Sequence, residues 1–155
     1  MYGVKPKNEE EVLYVLERLN QNAIHELKLL YGKNYIQKAL NTIFKKENEI
    51  VLIKLKKTNE SVGVFGIIPI ENTKSCGIFF LTTDNIHKGN KITLLKGANK
   101  QIKQWQQEYK LIMDSCLKSN ETIIKWLTLL GFKPSEEYQD DNFQIYYKGD
   151  INDYK

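Results

Sequence analysis

"LTTDNIHKGNKITLL", residues 81–95, is the stretch on which the reading turns. The residues before it, "CGIFFLTT" from Cys76, are apolar and β-prone, and predict a strand over about 76–84. The residues after it carry Leu94, Leu95, Ala98, Ile102 and Trp105 at helical spacing, with Lys and Gln opposite. That stripe predicts a helix from about Lys91 to Gln107. Between them lies a polar loop with one glycine, Gly89. A strand feeding a helix through such a loop leaves free backbone N–H groups and the positive helix end facing outward, which suits a phosphate or pyrophosphate. Lys88 and Lys91 add charge there. An ordinary strand-to-helix connection accounts for the same residues.

Working outward, the period changes twice. "YGVKP" (2–6) predicts a short first strand, and "NEEEVLYVLERL" a helix capped by Asn8 with Glu9 to Glu11 in its first turn. "NQN" (20–22) breaks this run. Val12, Leu16 and Leu19, then Ala23, Leu27 and Leu30, are expected inside, as are Ile36, Ala39, Leu40 and Ile43 of a helix over 34–46. "EIVLIKLKK" (49–57), "VGVFGIIPI" (62–70) and the strand at 76–84 are joined by short turns and predict an antiparallel meander. "YKLIMDSCL" (109–117) is a further strand, "NETIIKWLTLLGFK" (120–133) a helix, and the last strands form a hairpin around "QDDN". A strand, a helix and another apolar strand in succession predict one parallel pair within a mixed sheet.

Within the 120–133 stretch Asn120 reads as an N-cap and Gly131 as the stop. Ile123, Ile124, Leu127 and Leu130 face inward, and Glu121, Thr122, Lys125 and Thr128 face water.

Composition sets the limits. The 155 residues are 41% hydrophobic and 27% charged, with a net charge of +4, which predicts one folded domain with a real core. The lysines are dispersed and the Lys and Gln face of the 91–107 helix has little aromatic interleaving, which argues against a dedicated nucleic-acid binder. No run of apolar residues is long enough to span a membrane, and "MYGVKPKNEEE" lacks the apolar region of a signal peptide. The expected location is therefore cytoplasmic. Cys76 and Cys116 are isolated, which suits buried free thiols, and with two histidines they offer no metal-ligand spacing. No repeat is present.

Order and spacing together resemble the GNAT (GCN5-related) N-acetyltransferase fold over about residues 1–148, an α/β (α+β) domain with a mixed, mostly antiparallel sheet flanked by helices. Residues 149–155 would be a C-terminal tail. The family's fourth strand ends in Q/R-x-x-G-x-G/A, whose backbone holds the pyrophosphate of acetyl-CoA. Aligned without gaps, "IHKGNK" puts Ile86 at Q/R, Gly89 at the first Gly and Lys91 at Gly/Ala. The family's Asn, its helix and its Gly-Phe are matched by Asn120, Gly131 and Phe132. The tyrosine that serves the family as general acid falls on Leu127, after Trp126. "FFLTTDNI", the Lys-rich helix and "SNETIIKWLTLLGF" are similar, more narrowly, to GNAT-like proteins of tailed phages, including the small internal virion protein of podophages.

The resemblance implies an acyl-CoA-dependent N-acetyltransferase with acetyl-CoA as co-substrate, no metal, and an amine or protein acceptor. The other implied reading is a non-catalytic phage component meeting phage or host proteins in the host cytoplasm or virion. On the enzyme reading the thioester lies along Phe80, Leu81 and Thr82, and the pyrophosphate on Ile86, His87, Lys88, Gly89, Asn90, Lys91 and Ile92, with Asn120 in the same set. The catalytic candidates are Asn120, Glu26 and Asp84, with His25 and Asp114 as further bases and Tyr109 and Cys116 as substitute acids.

Overall fold

A computed structural model describes residues 2–150. Seven strands and five α-helices follow the order β1 (Tyr2–Val4), α1 (Glu9–Leu16), α2 (Gln21–Tyr31), α3 (Tyr35–Ile43), β2 (Glu49–Lys54), β3 (Ser61–Pro69), β4 (Ser75–Thr82), α4 (Lys91–Trp105), β5 (Leu111–Leu117), α5 (Glu121–Leu129), β6 (Lys133–Gln139) and β7 (Phe143–Gly149). The sheet runs β1-β2-β3-β4-β5-β7-β6. The mixed α/β architecture and its mostly antiparallel sheet are as expected. Gly149 closes β7, and the expected tail beyond Asp150 lies outside the described residues. Residues up to Ile67 with Phe79–Leu94 form one compact unit, and Ile68–Ile78 with the residues from Leu95 form another.

In the first unit β1, β2 and β3 are antiparallel neighbours, with Gly3 opposite Ile53 and Val51 opposite Phe65. Asn8 starts α1 by accepting from the Glu11 amide, and Glu11 in turn accepts from the Lys7 amide at 2.9 Å. Two backbone donors at the helix start, the Glu11 and Lys7 amides, thus have side-chain acceptors. The helices close over the sheet with one cluster that includes Val12, Val15, Leu16, Leu19, Ala23, Leu27, Leu40, Ile43, Leu52, Val64 and Leu81. Leu30 is a correction: it is 58% exposed. The inward face of α2 runs at i, i+4 steps from Ala23 through Leu27 to Tyr31, which packs on the cluster, and this turns Leu30 outward.

In the second unit β5, β7 and β6 are antiparallel, with Asp114 opposite Tyr146 and Pro134 opposite Tyr146 on the other side. The expected parallel pair is β4 with β5, in register from Ser75↔Leu111 to Gly77↔Met113. The stripe Ala98, Ile102 and Trp105 is buried, as are Ile123, Leu127 and Leu130 of α5. Helix α5 ends as its sequence predicts. Gly131 takes φ +89°, its amide donates to Thr128, and the Phe132 amide donates to Leu127. That pair of bonds is the Schellman stop, which a side chain at Gly131 would strain.

Candidate functional site

The site begins where β4 ends. The Thr83 amide donates to Val62 of β3 at 2.9 Å. Neighbouring strand residues face opposite edges, so Thr82 faces away from β3, and Phe80 with it. On that edge the Thr82 carbonyl accepts the Asn20 backbone amide at 3.0 Å and the Asn20 side-chain amide at 2.9 Å. The same Nδ2 reaches the Thr82 hydroxyl at 2.9 Å, while Asn20 Oδ1 caps α2 by accepting from Ala23 at 2.9 Å. Leu19 and Thr83 form an isolated antiparallel bridge beside it. Asn20 therefore ties the α1–α2 connection to the end of β4. Sequence reasoning passes over it because "NQN" marks only a helix break.

After Thr83 the chain makes a short 3-10 helix, Asp84–Lys88. The Ile86 side chain is 5% exposed, so the residue at the Q/R signature position is a core anchor, and its amide donates to the Thr83 carbonyl. Asn85 Nδ2 donates to Glu60 Oε2 at 2.8 Å, fixing the turn to the end of the β2–β3 loop. Gly89 is extended (φ −96°, ψ 175°), and its amide donates to Ile86 at 3.2 Å. Neither Gly89 nor Lys91 has positive φ, and Lys91 opens α4, so its Cβ carries no backbone strain. Asn90 caps α4: its Oδ1 accepts from Thr93 at 3.1 Å and its carbonyl from Leu94 at 3.1 Å.

The N-terminus of a 15-residue helix is thus left with the Lys91 and Ile92 amides, which have no intrahelical acceptor. Lys91, Lys88, His87 and Asn90 are exposed around it, and Ile92 is 66% exposed. Two ammonium groups, two amides and a helix dipole form a donor set suited to a diphosphate. The continuous stretch Leu81–Ile92 brings the expected cofactor-binding residues of this unit together, with Asp84 exposed at the strand end. Glu26 stands half-buried on α2 and is itself engaged in an interaction. His25 is exposed.

In the second unit Asn120 is 2% exposed and does what its position predicts: Oδ1 accepts from Ile123 at 3.4 Å and its carbonyl from Ile124 at 3.1 Å. Leu127 is fully buried. Cys116 is 1% exposed and beside Tyr146, whose hydroxyl is pushed above its ordinary value by burial first and by Cys116 second. Tyr109 and Asp114 are each engaged in interactions of their own. Both cysteines are free and buried, as expected. Among the described residues no three His, Cys, Asp or Glu side chains gather as a metal site would need, and no helix is long and apolar enough to cross a membrane.

No protein-family model and no curated protein matches the sequence. Solved structures do. The GNAT domain of PAT from S. lividans superposes with a TM-score of 0.71 at 10% identity, covering 96% of this chain and 88% of that one. Ribosomal-protein-alanine N-acetyltransferase from Brucella melitensis superposes at 0.67 and 10% identity, covering 96% and 99%. The microcin C7 self-immunity acetyltransferase, solved with acetyl-CoA and AMP, superposes at 0.62 and 18% identity, covering 92% and 87%. At these identities the likeness speaks for architecture, and the chain has the GNAT acetyltransferase fold.

Proposed function

We propose that the protein is an acyl-CoA-dependent N-acetyltransferase of phage or prophage origin, acting on an amine in the host cytoplasm. The observation that carries this reading is the start of α4, where exposed Lys88 and Lys91 and two first-turn amides follow the end of a strand in a GNAT fold. On this reading Lys88 through Ile92 hold the pyrophosphate of acetyl-CoA, with the Lys91 ammonium taking over from the glycine of the family pattern. Ile86 serves by anchoring the loop. The Phe80 amide, on the same edge as Thr82, donates to the thioester carbonyl as negative charge develops there. Asp84 or Glu26 takes the proton from the attacking amine, and Asn120 acts as the cap of α5. The thiolate leaves with a proton from solvent, since Leu127 has none to give. A missing general acid lowers the rate by roughly 10²–10⁴-fold without removing the other contributions.

Buried Leu127 favours a second reading: a GNAT-fold virion or host-interaction component without catalysis. Calorimetric titration with acetyl-CoA at low and moderate salt separates the two. Micromolar binding, weakened roughly tenfold by a Lys88→Glu/Lys91→Glu double variant, is the expected result. Folded protein that fails to bind at millimolar acetyl-CoA overturns the enzyme reading and leaves the second.

A further inference from the structure

We propose that the outer face of α4, from Lys96 to Gln104, is a docking ridge for double-stranded nucleic acid, which it holds by the phosphate backbone without reading sequence. This inference does not rest on the acetyltransferase reading, and the ridge lies within the second unit. Helix α4 holds Lys91, Lys96, Lys100 and Lys103 and no acidic residue. Its charge therefore matches the +4 of the whole chain, and the other residues balance to neutrality. Excess charge gathered on one helix gives a polyanion one face to find.

Lys96, Lys100 and Lys103 follow one another at i, i+4 and i+7, all exposed, over about 10 Å of helix axis. Like charges so placed repel one another along the helix. No carboxylate stands three or four residues from any of them, and none of the three is in an ion pair among the described residues. A further cation stands near Lys103. Lys148 Nζ, held on the Leu130 carbonyl at 2.7 Å, is pushed below its ordinary value by burial first and by Lys103 second. Gly97 adds a different kind of observation. It is exposed in the helix interior, where glycine costs stability relative to alanine. Its φ is not positive, and a Cβ built on it would meet nothing within 4 Å, so the fold has no need of a glycine there. A bare backbone between Lys96 and Lys100 suits the close approach of a ligand.

The residues on the ridge select the polyanion. The apolar side of this stretch, Ala98, Ile102 and Trp105, is buried in the protein and leaves nothing to insert into a lipid surface. The exposed positions from Lys96 to Gln107 are lysine, glycine and glutamine, without the aromatic and arginine side chains that anchor protein interfaces. The same lack of aromatics removes the stacking platform that a single strand needs. A duplex needs neither. It presents one charge per roughly 1.7 Å of its axis, so each lysine meets a phosphate in any register. The exposed Gln104 side chain adds an amide donor of the kind that phosphate oxygens accept.

Fluorescence anisotropy of a short labelled DNA duplex, titrated with the full chain between about 50 and 200 mM NaCl, tests this. Expected is saturable binding whose log affinity falls against log salt with a slope of about −3, one phosphate for each lysine. A Lys96→Gln/Lys100→Gln/Lys103→Gln variant should bind roughly tenfold more weakly at the lower salt and lose most of that slope. Glutamine suits a helix at three exposed positions, and a thermal melt verifies the fold. Gly97→Gln changes no charge. It should raise the melting temperature and weaken duplex binding roughly threefold. Absent or salt-independent binding, undiminished affinity in either variant, or equal or tighter binding of a single strand of the same length or of poly-glutamate would each overturn the proposal.

Discussion

Asn20 and Asn120 open two helices with the same side chain and the same bond, Oδ1 accepting from the amide three residues on, at 2.9 Å for Asn20 and 3.4 Å for Asn120. Beyond the cap they part. Asn20 reaches 62 residues along the chain, and its backbone and side-chain amides both hold the end of β4. The backbone bonds of Asn120 run to Leu117 and Ile124, within its own turn. The one residue joins two distant segments beside the candidate cofactor loop, and the other punctuates a helix. A cap is a local feature that spacing reveals. A strut is a tertiary feature that the same residue type acquires from what folds up beside it.

The largest expected effect follows from that difference. Asn20→Ala removes a cap and two side-chain bonds to Thr82, and should cost about 3 kcal/mol in urea unfolding, at roughly 1 kcal/mol for each. Asn120→Ala removes a cap alone, for about 1 kcal/mol. Equal losses would erase the distinction. Acetyl-CoA titration sharpens it further. If Asn20 holds the thioester strand, its variant loses affinity while Asn120→Ala keeps most of it. The reverse order would return Asn120 to the ligand-contacting role that its resemblance implies.

What is legible in the sequence follows the same line. The strands and helices are, because the apolar period switches from about 3.6 to 2 near Glu49 and back near Lys91, and because asparagines and glycines stand at the ends. The parallel β4–β5 pair is legible from a single crossover helix. The loop at 84–90 is legible as a place. Its internal arrangement is not, since nothing local announces that Ile86 turns inward or that Asn85 reaches Glu60. Leu30 illustrates the limit of periodicity: i+3 and i+4 both fit an apolar stripe, and only the packing of Tyr31 decides between them.

The carboxylates repeat the contrast between distant and local partners, with a smaller effect. Glu11 lies below the ordinary glutamate value, first through its hydrogen bond from Lys54 and then through the Lys7 amide. Asp140 lies below the ordinary aspartate value through the amides of Phe143 and then Asn142, a turn closed within three residues. A depressed folded value means the stabilisation is present above the unfolded value and is lost as pH falls through the folded one. Stability of the native protein should therefore decline as pH drops below the ordinary glutamate value of 4.5. Glu11→Gln should be less stable by about 1 kcal/mol at neutral pH and show a shallower decline across that window. Asp140→Asn keeps an acceptor for its turn, so its acid profile should flatten only below 3.8. A Glu11→Gln profile parallel to that of the native protein would place the ion pair among the many that contribute nothing.

The smallest effect sits next to the strut, and its sign carries the information. Thr82 and Thr83 are adjacent, both buried, at 8% and 4% exposure. The Thr82 hydroxyl is served by Asn20, whereas the Thr83 hydroxyl is sealed without a partner among the described residues. Removing a satisfied hydroxyl strands its donor, and removing an orphaned one relieves a desolvation cost. Thr82→Val should therefore lower stability and Thr83→Val raise it, each by up to about 1 kcal/mol, read as opposite shifts of the urea midpoint. A loss at both positions would mean that Thr83 has a partner in solution. If Thr83→Val gains stability and at the same time weakens acetyl-CoA binding, the orphan is a group kept unpaired for the cofactor loop, and the end of β4 is strained on behalf of what it binds.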